Sequence, residues 1–189
     1  MPAKNEVATT RLPPVDEAKS PAAAAVFAHI KQTRGTVSHV LRSLGHAPEG
    51  LSAFAAYGEY VRYRTTLSGR VRELTILALA RGNQYAWTHH APFALKEGVT
   101  QAELDELNAG KLAATLSAAE SAAIGFAREF AQGGNVGDDA FAKLRQEFDE
   151  RGVTDITLLC GYFIALASVI NALRIELESN RAPMMKPVR

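Results

Sequence analysis

The stretch from Ile156 to Leu173 carries no charged side chain, and it constrains the fold more than any other part of the 189-residue sequence. An uncharged segment of that length has to be shielded from water over much of its surface, by lipid or by neighbouring helices. Thr157, Gly161, Tyr162, Ser168 and Asn171 interrupt its apolar character, and Asp155 and Arg174 bracket it without aromatic belts or a basic cluster. Those features favour a central helix packed on all sides by its neighbours over a membrane span. A hydrophobic content of 47% suffices for one substantial core, so one domain with no membrane partner is expected.

The rest of the chain reads as helix punctuated by breaks. Pro21 and the alanine-rich run that follows start a helix after Ser20, and Gly35 ends it. A short helix near Val37 to Leu44 follows. Leu51, Phe54, Ala55, Gly58 and Val61 then recur at helical spacing. Ser68 caps an almost fully apolar helix that stops at Gly82-Asn83, and a further helix carries Tyr85 to about Lys96. Thr100 with Glu103, and Ser117 with Glu120, have the spacing of capping boxes. Asp138 is read as the cap of a stretch ending at Gly152, and Thr154 or Asp155 as the cap of the last helix, which runs to about Leu177. No segment alternates with period two, so no strands are expected. The expected fold class is all-α, a compact domain of about eight helices over residues 21–180. A polar arm over residues 1–20 precedes it, and a tail over 181–189 follows.

Charge and cysteine content narrow the function. Lys and Arg number 21 against 20 Asp and Glu, a formal net charge of +1, so no field of one sign is available to hold a nucleic acid backbone. Cys160 is the only cysteine, which excludes an intrachain disulfide, a Cys-x-x-Cys redox motif and a thiolate metal site. That usage suits a reducing cytoplasm. The N-terminus has no apolar core of a secretion signal, so cytoplasmic localisation is expected.

Chemistry concentrates in Asn83 to His90, which puts two imidazoles, a phenol and an indole into a turn and a half of helix. Tyr85 and His89 share one face, and Ala86 and His90 the next. Consecutive residues diverge by about 100°, so His89 and His90 are expected not to point into one pocket, and they lack the i, i+4 spacing that two helical metal ligands require. No metal and no cofactor are expected. His90 is the favoured functional group because small Ala86 and Ala94 leave room beside it. The competing reading makes Tyr85 and Trp87 packing residues and leaves both histidines structural.

The run Arg72-Glu73-Leu74, then Tyr85-x-Trp87-x-His89-His90, then Gly98-Val-Thr and the final helix ending Asn171-Ala-Leu-x-x-Glu-Leu177 resembles the carboxymuconolactone decarboxylase and alkylhydroperoxidase D-like family over residues 36–178. The resemblance implies an alkylhydroperoxidase D-like fold and a homo-oligomer. In the peroxidase branch of that family a Cys-x-x-Cys precedes a histidine by four residues, with an upstream glutamate completing a proton relay. Here the cysteine positions fall on Asn83 and Ala86, the histidine on His90, and the glutamate most like the family's is Glu73. Both thiols are absent, so dithiol peroxidase activity is not expected.

The decarboxylase branch implies a small-molecule substrate resembling a carboxylated unsaturated lactone or an aromatic-derived acid. The chain is then expected to be a cofactor-free lyase or related acid–base enzyme. Its catalytic residues would be His90, Glu73 and Tyr85: His90 as the proton donor to carbon, Glu73 orienting the imidazole, and Tyr85 donating to the developing enolate oxygen. Trp87 could take the place of Tyr85 in donating to that oxygen or could wall the ring, His89 would belong to the substrate-binding set, and Arg72 or Arg81 would anchor the carboxylate. The alternative is a protein of the same fold that binds a small ligand, or acts through assembly, without turnover.

Overall fold

The fold is built around the helix with the largest share of buried side chains. In a computed structural model describing residues 10–187, helix α4 (Gly69–Leu79) buries eight of its side chains, and Ser68 caps it by accepting the amide of Val71. It packs against α5 (Gln84–Lys96), α7 (Ala118–Phe130) and α9 (Glu150–Leu173). With α6 (Gln101–Asn108) and α8 (Asp138–Glu147) these enclose one core, in which Leu74, Ile76, Leu77, Ile124, Leu144, Ile156 and Leu159 are almost fully sealed. A second core joins α1 (Pro21–Arg34), α2 (His39–Leu44) and α3 (Pro48–Tyr63) to the far end of α9 through Phe27, Ile30, Leu51 and Ile170. Among the described residues there are nine α-helices, one 3-10 turn at Glu17–Lys19 and no strands, so the all-α expectation holds with one helix more than the eight anticipated.

Local signals placed most boundaries. Ser20 accepts the amide of Ala23 with Pro21 in the first turn, and Gly35 closes α1 in the left-handed region at φ 73°. Both capping boxes form as expected, at Thr100–Glu103 and Ser117–Glu120. The region before the last helix is corrected. Phe148 is extended and breaks the chain after α8, and Asp149 caps α9 by accepting the amide of Gly152. Asp155, expected at a cap, lies fully buried inside α9 instead. Its carboxylate takes hydrogen bonds from the Tyr60 hydroxyl at 2.6 Å, the Thr66 amide at 2.8 Å and Arg151 at 3.1 Å. An acid in the first turns of a helix satisfies the local rule for a cap, yet this one serves α3 and the loop after it.

Helix α9 is also not packed on all sides. By length and mean hydropathy (2.0) it could cross a membrane, but only a third of that apolar window is buried, and Leu158 is exposed. It ends at Leu173, where Arg174 turns left-handed at φ 50°, short of the expected Leu177.

The ends of the described chain lie over the helices. The expected arm over residues 1–20 falls partly outside the described residues. Its described part runs over α2 and the end of α9, the Arg11 amide bonding the Leu173 carbonyl at 2.8 Å and the Val15 amide that of Arg42 at 3.2 Å. Beyond α9, the Met184 amide donates to the Thr88 hydroxyl at 3.0 Å, and Asn108 donates to the Lys186 carbonyl at 2.8 Å. This strap fastens the tail onto α5 and α6.

Candidate active site

Helix α5 starts at a side-chain cap, Asn83 accepting the amide of Ala86 at 2.9 Å, and that fixes the rotation at which its first turns meet the rest of the molecule. Tyr85, Ala86, His89 and His90 face a cavity of about 50 Å³ closed by Arg34 of α1, Arg62 of α3, and Tyr162 and Phe163 of α9. The two histidines therefore share one cavity, against the expectation from their divergence along the helix. The divergence describes where the Cβ bonds leave the backbone. A cavity lying across the ridge between two faces is reached by both rings, with His89 at the rim and His90 at the floor, their side chains 16% and 6% exposed.

Each imidazole is held by its own carboxylate. His90 Nδ1 lies 2.9 Å from Oε2 of Glu73, and the ring meets Phe163 edge-on at 4.9 Å between centroids. Burial pushes the His90 pKa down more strongly than Glu73 raises it, and Arg62 and His89 add to the lowering. Burial alone would raise the Glu73 carboxyl, but the His90 contact and the charges of Arg62 and Arg72 carry it below the usual carboxylate range. The resting pair is thus a neutral imidazole beside an ionised carboxylate. Because a carboxylate only accepts, Nδ1 donates to Glu73 and Nε2 keeps its lone pair for the cavity that the ring lines.

At the rim, His89 Nε2 lies 2.8 Å from Oε2 of Glu178, just beyond the end of α9. The Tyr85 hydroxyl donates to the other oxygen of Glu178 at 3.0 Å, the His39 amide donates to the same atom at 2.9 Å, and Tyr85 stacks on His89 at 4.5 Å. Burial opposes ionisation of Glu178, but these donors hold its pKa well below the usual range. Burial raises the Tyr85 phenol, and Glu178 raises it further.

The remaining expected site residues separate. Arg72 stays behind Glu73, its Nε 3.3 Å from Oε1, and does not line the cavity. Arg81 lies elsewhere: it donates to the Asn108 carbonyl at 3.2 Å and lines a different groove with Arg128 and Lys186. Trp87 is 2% exposed in the larger core and faces away from the cavity. Sequence reasoning missed Arg34, Arg62, Tyr162 and Glu178, which reach the site from parts of the chain remote from α5. Only Tyr162 gave a signal, as a phenol inside an uncharged helix.

Gly58 lets these elements close. A β-carbon there would stand 2.6 Å from Tyr162 Cζ and 2.7 Å from an Arg34 terminal nitrogen, so only glycine allows α3 to come so near both. Among the described residues no group of three or more His, Cys, Asp or Glu side chains is placed to hold a metal ion. Cys160 is fully buried in α9, where desolvation pushes its thiol up to about 12.

The sequence profile of the carboxymuconolactone decarboxylase family matches residues 48–129. Over that segment the chain is similar to the family. The family segment runs from α3 almost to the end of α7, and so carries Arg62, Glu73, Tyr85, His89 and His90, whereas Arg34, Tyr162 and Glu178 lie outside it.

Comparison with curated sequences found no match. Among solved structures, an uncharacterised peroxidase-related protein with an alkylhydroperoxidase AhpD core from Ralstonia eutropha JMP134 superposes with a TM-score of 0.77 at 20% identity, over 94% of this chain and 100% of that one. A peroxidase-related protein from Silicibacter sp. TM1040 gives 0.75 at 19%, over 93% and 95%. The debrominase Bmp8, in a cysteine-to-alanine form complexed with 2,3,4-tribromopyrrole, gives 0.76 at 17%, over 90% and 93%. At such identities the likeness establishes the fold, which is the alkylhydroperoxidase D-like one anticipated from the sequence.

Proposed function

We propose that the protein is a thiol-independent acid–base enzyme, a lyase-like member of its family acting on a small carboxylated lactone or aromatic-derived acid. The observation that carries this reading is the sealed His90–Glu73 pair beside a cavity, on a chain whose only thiol is buried in α9. Family resemblance supplies the reaction class and the pair supplies a proton carrier. In the decarboxylation step the bond from ring carbon to carboxylate breaks, carbon dioxide leaves, and the electron pair delocalises towards the lactone carbonyl. His90, neutral at rest, takes a proton from solvent on Nε2 and delivers it to carbon, returning to the neutral imidazole, so each turnover consumes one proton. Tyr85 gives its hydroxyl hydrogen to Glu178, so in this reading it fixes His89 instead of reaching the enolate oxygen.

The test is carbon dioxide release, or loss of lactone absorbance, across a panel of carboxylated unsaturated lactones. Turnover by the native protein that falls about a hundredfold or more in His90→Gln supports the reading, on the usual scale of general acid–base catalysis. Equal turnover in the variant ends the role of His90.

A second reading has one observation in its favour. A cavity of about 50 Å³ holds only a few water-sized groups, so a substituted lactone ring enters only if side chains at the rim move. A non-catalytic binder of smaller ligands fits that size without movement. Tight binding with no turnover of any panel member would favour this alternative.

Self-association belongs to the same proposal. The incompletely buried α9 presents apolar surface, Leu158 among it, that a second copy would cover, and light scattering at micromolar concentration tests it.

A further inference from the structure

The lining of the His90 cavity contains two guanidinium groups and no carboxylate. Arg62 makes no hydrogen bond or ion pair among the described residues: its guanidinium lies over the rings of Tyr63 at 5.4 Å and Phe93 at 5.2 Å, and its charge acts on Glu73 and His90 only from a distance. Arg34 donates one terminal nitrogen to the Ala55 carbonyl at 2.9 Å, while its Nε–H is buried with no acceptor. A buried guanidinium donor without an acceptor is costly, and exposed arginines normally find either water or acid. Val40, Leu41, Leu166 and Ile170 make up the other wall and lower the local dielectric, which strengthens any charge pair formed inside.

We propose that Arg34 and Arg62 form an anion-holding end of the cavity, and that its ligand is a small monocarboxylate bound within reach of His90. The anion site stands on its own geometry, and the inference rests on the proposed acid–base reading only for the proton transfer that comes after binding. It replaces Arg72 and Arg81, the arginines that the sequence offered, with two from outside helix α4.

Proton transfer in the cavity is governed by the groups that face His90. Glu73 of α4 touches Nδ1, with Arg72 behind it. His89 adjoins on α5, Arg62 approaches from α3, Arg34 from α1, and Tyr162 lies against the cavity from α9. Of these neighbours, Arg62 and His89 disfavour a positive imidazole and Glu73 favours it. A carboxylate neutralising Arg62 removes one of the opposing charges and adds a negative one. Its binding therefore raises the basicity of Nε2, and the ligand's own charge converts the resting base into the acid that the lyase step needs. By linkage, anion binding takes up protons, so affinity rises as pH falls through the range where His90 charges.

The experiment titrates acetate, propenoate and the neutral isostere acetamide into the full chain. It monitors the His90 ring nitrogens by NMR and proton uptake by calorimetry in buffers of different ionisation enthalpy. Expected results are saturable binding of both carboxylates, an upward move of the His90 titration midpoint, net proton uptake, and no comparable effect of acetamide. Arg62→Gln is expected to weaken acetate binding about tenfold or more, the scale of losing one charge-assisted contact. Acetamide acting like acetate, or no response of His90 to either carboxylate, overturns the proposal without any variant. Full acetate binding in a folded Arg62→Gln overturns it as well. Loss of anion binding with turnover still dependent on His90 sinks this inference alone. Anion binding in a protein whose turnover ignores His90→Gln sinks the enzymatic reading alone.

Discussion

The Nδ1 atom of His90 and the Oε2 atom of Glu73 are 2.9 Å apart in a setting where neither side chain is more than 6% exposed. Replacing Glu73 by Gln keeps the shape and removes the charge. Because Glu73 is the group that raises the His90 pKa against burial, the imidazole of Glu73→Gln is expected to charge at a still lower pH than in the native protein. The ring resonances of His90 tracked against pH give the answer, and an upward move would contradict the assignment. Glu73→Ala also leaves a buried N–H unpaired, at a cost of about 1–3 kcal/mol in urea unfolding.

Asp155 offers a stability test remote from the cavity. Its carboxylate ties Tyr60, Thr66 and Arg151 together at zero exposure. Asp155→Ala removes the acceptor shared by the Thr66 amide and the Tyr60 hydroxyl, and is expected to lower stability by about 1–3 kcal/mol. Arg151 is half exposed and contributes little of that. Asp155→Asn retains some acceptor capacity and should lose less. A loss within about 0.5 kcal/mol for the alanine variant, the range of ordinary surface changes, would refute the network's role.

Acid should unfold the protein through its paired carboxyls. Burial opposes ionisation of Glu103, yet the Thr100 amide, Thr115 and Arg70 hold its pKa down to about 2. Glu120 and Asp155 lie below their ordinary 4.5 and 3.8 for similar reasons. A folded-state pKa below the unfolded one means that the unfolded chain binds more protons in the interval. The stabilisation is therefore complete above about pH 5 and is lost as pH falls through 4.5 towards 2. Urea midpoints measured across that interval should decline steadily, and a flat profile would count against these pairings.

Cys160 should behave as a core residue. With no exposure and a thiol pushed up to about 12, it is expected to resist an aromatic disulfide reagent in the native protein and to react once the chain is denatured. Rapid native labelling would mean that α9 opens readily, and would reopen the question of sulfur chemistry.

What could be read in advance was local. Ser117 with Glu120 and Thr100 with Glu103 declare their helix starts within four residues, because a cap is satisfied by its own neighbours. His90 and Glu73 were legible as candidates because their spacing resembles a family pattern, and they lie on consecutive helices. Glu178 and Arg34 were not. The partner of His89 lies 89 residues away, and Arg34 reaches the cavity from α1 only because Gly58 lets α3 and α9 close around it. Trp87 misled for the converse reason, since proximity in sequence to a histidine does not decide which side of a helix faces a cavity, and Arg81, in the turn after α4, reaches the Asn108 carbonyl instead.

Adjacent histidines tethered to acids on either side of α5 in the chain, one from α4 and one from beyond α9, also act as a register lock on α5. A twist of that helix by one position pulls His90 from Glu73 and His89 from Glu178 together, so the proton carrier exists only when the central helices and the segment after α9 have both docked. Chains that settle into a loosened or misaligned packing therefore lose the reactive arrangement at the same moment. Activity, once found, should report assembly of the native topology more sensitively than helical content does.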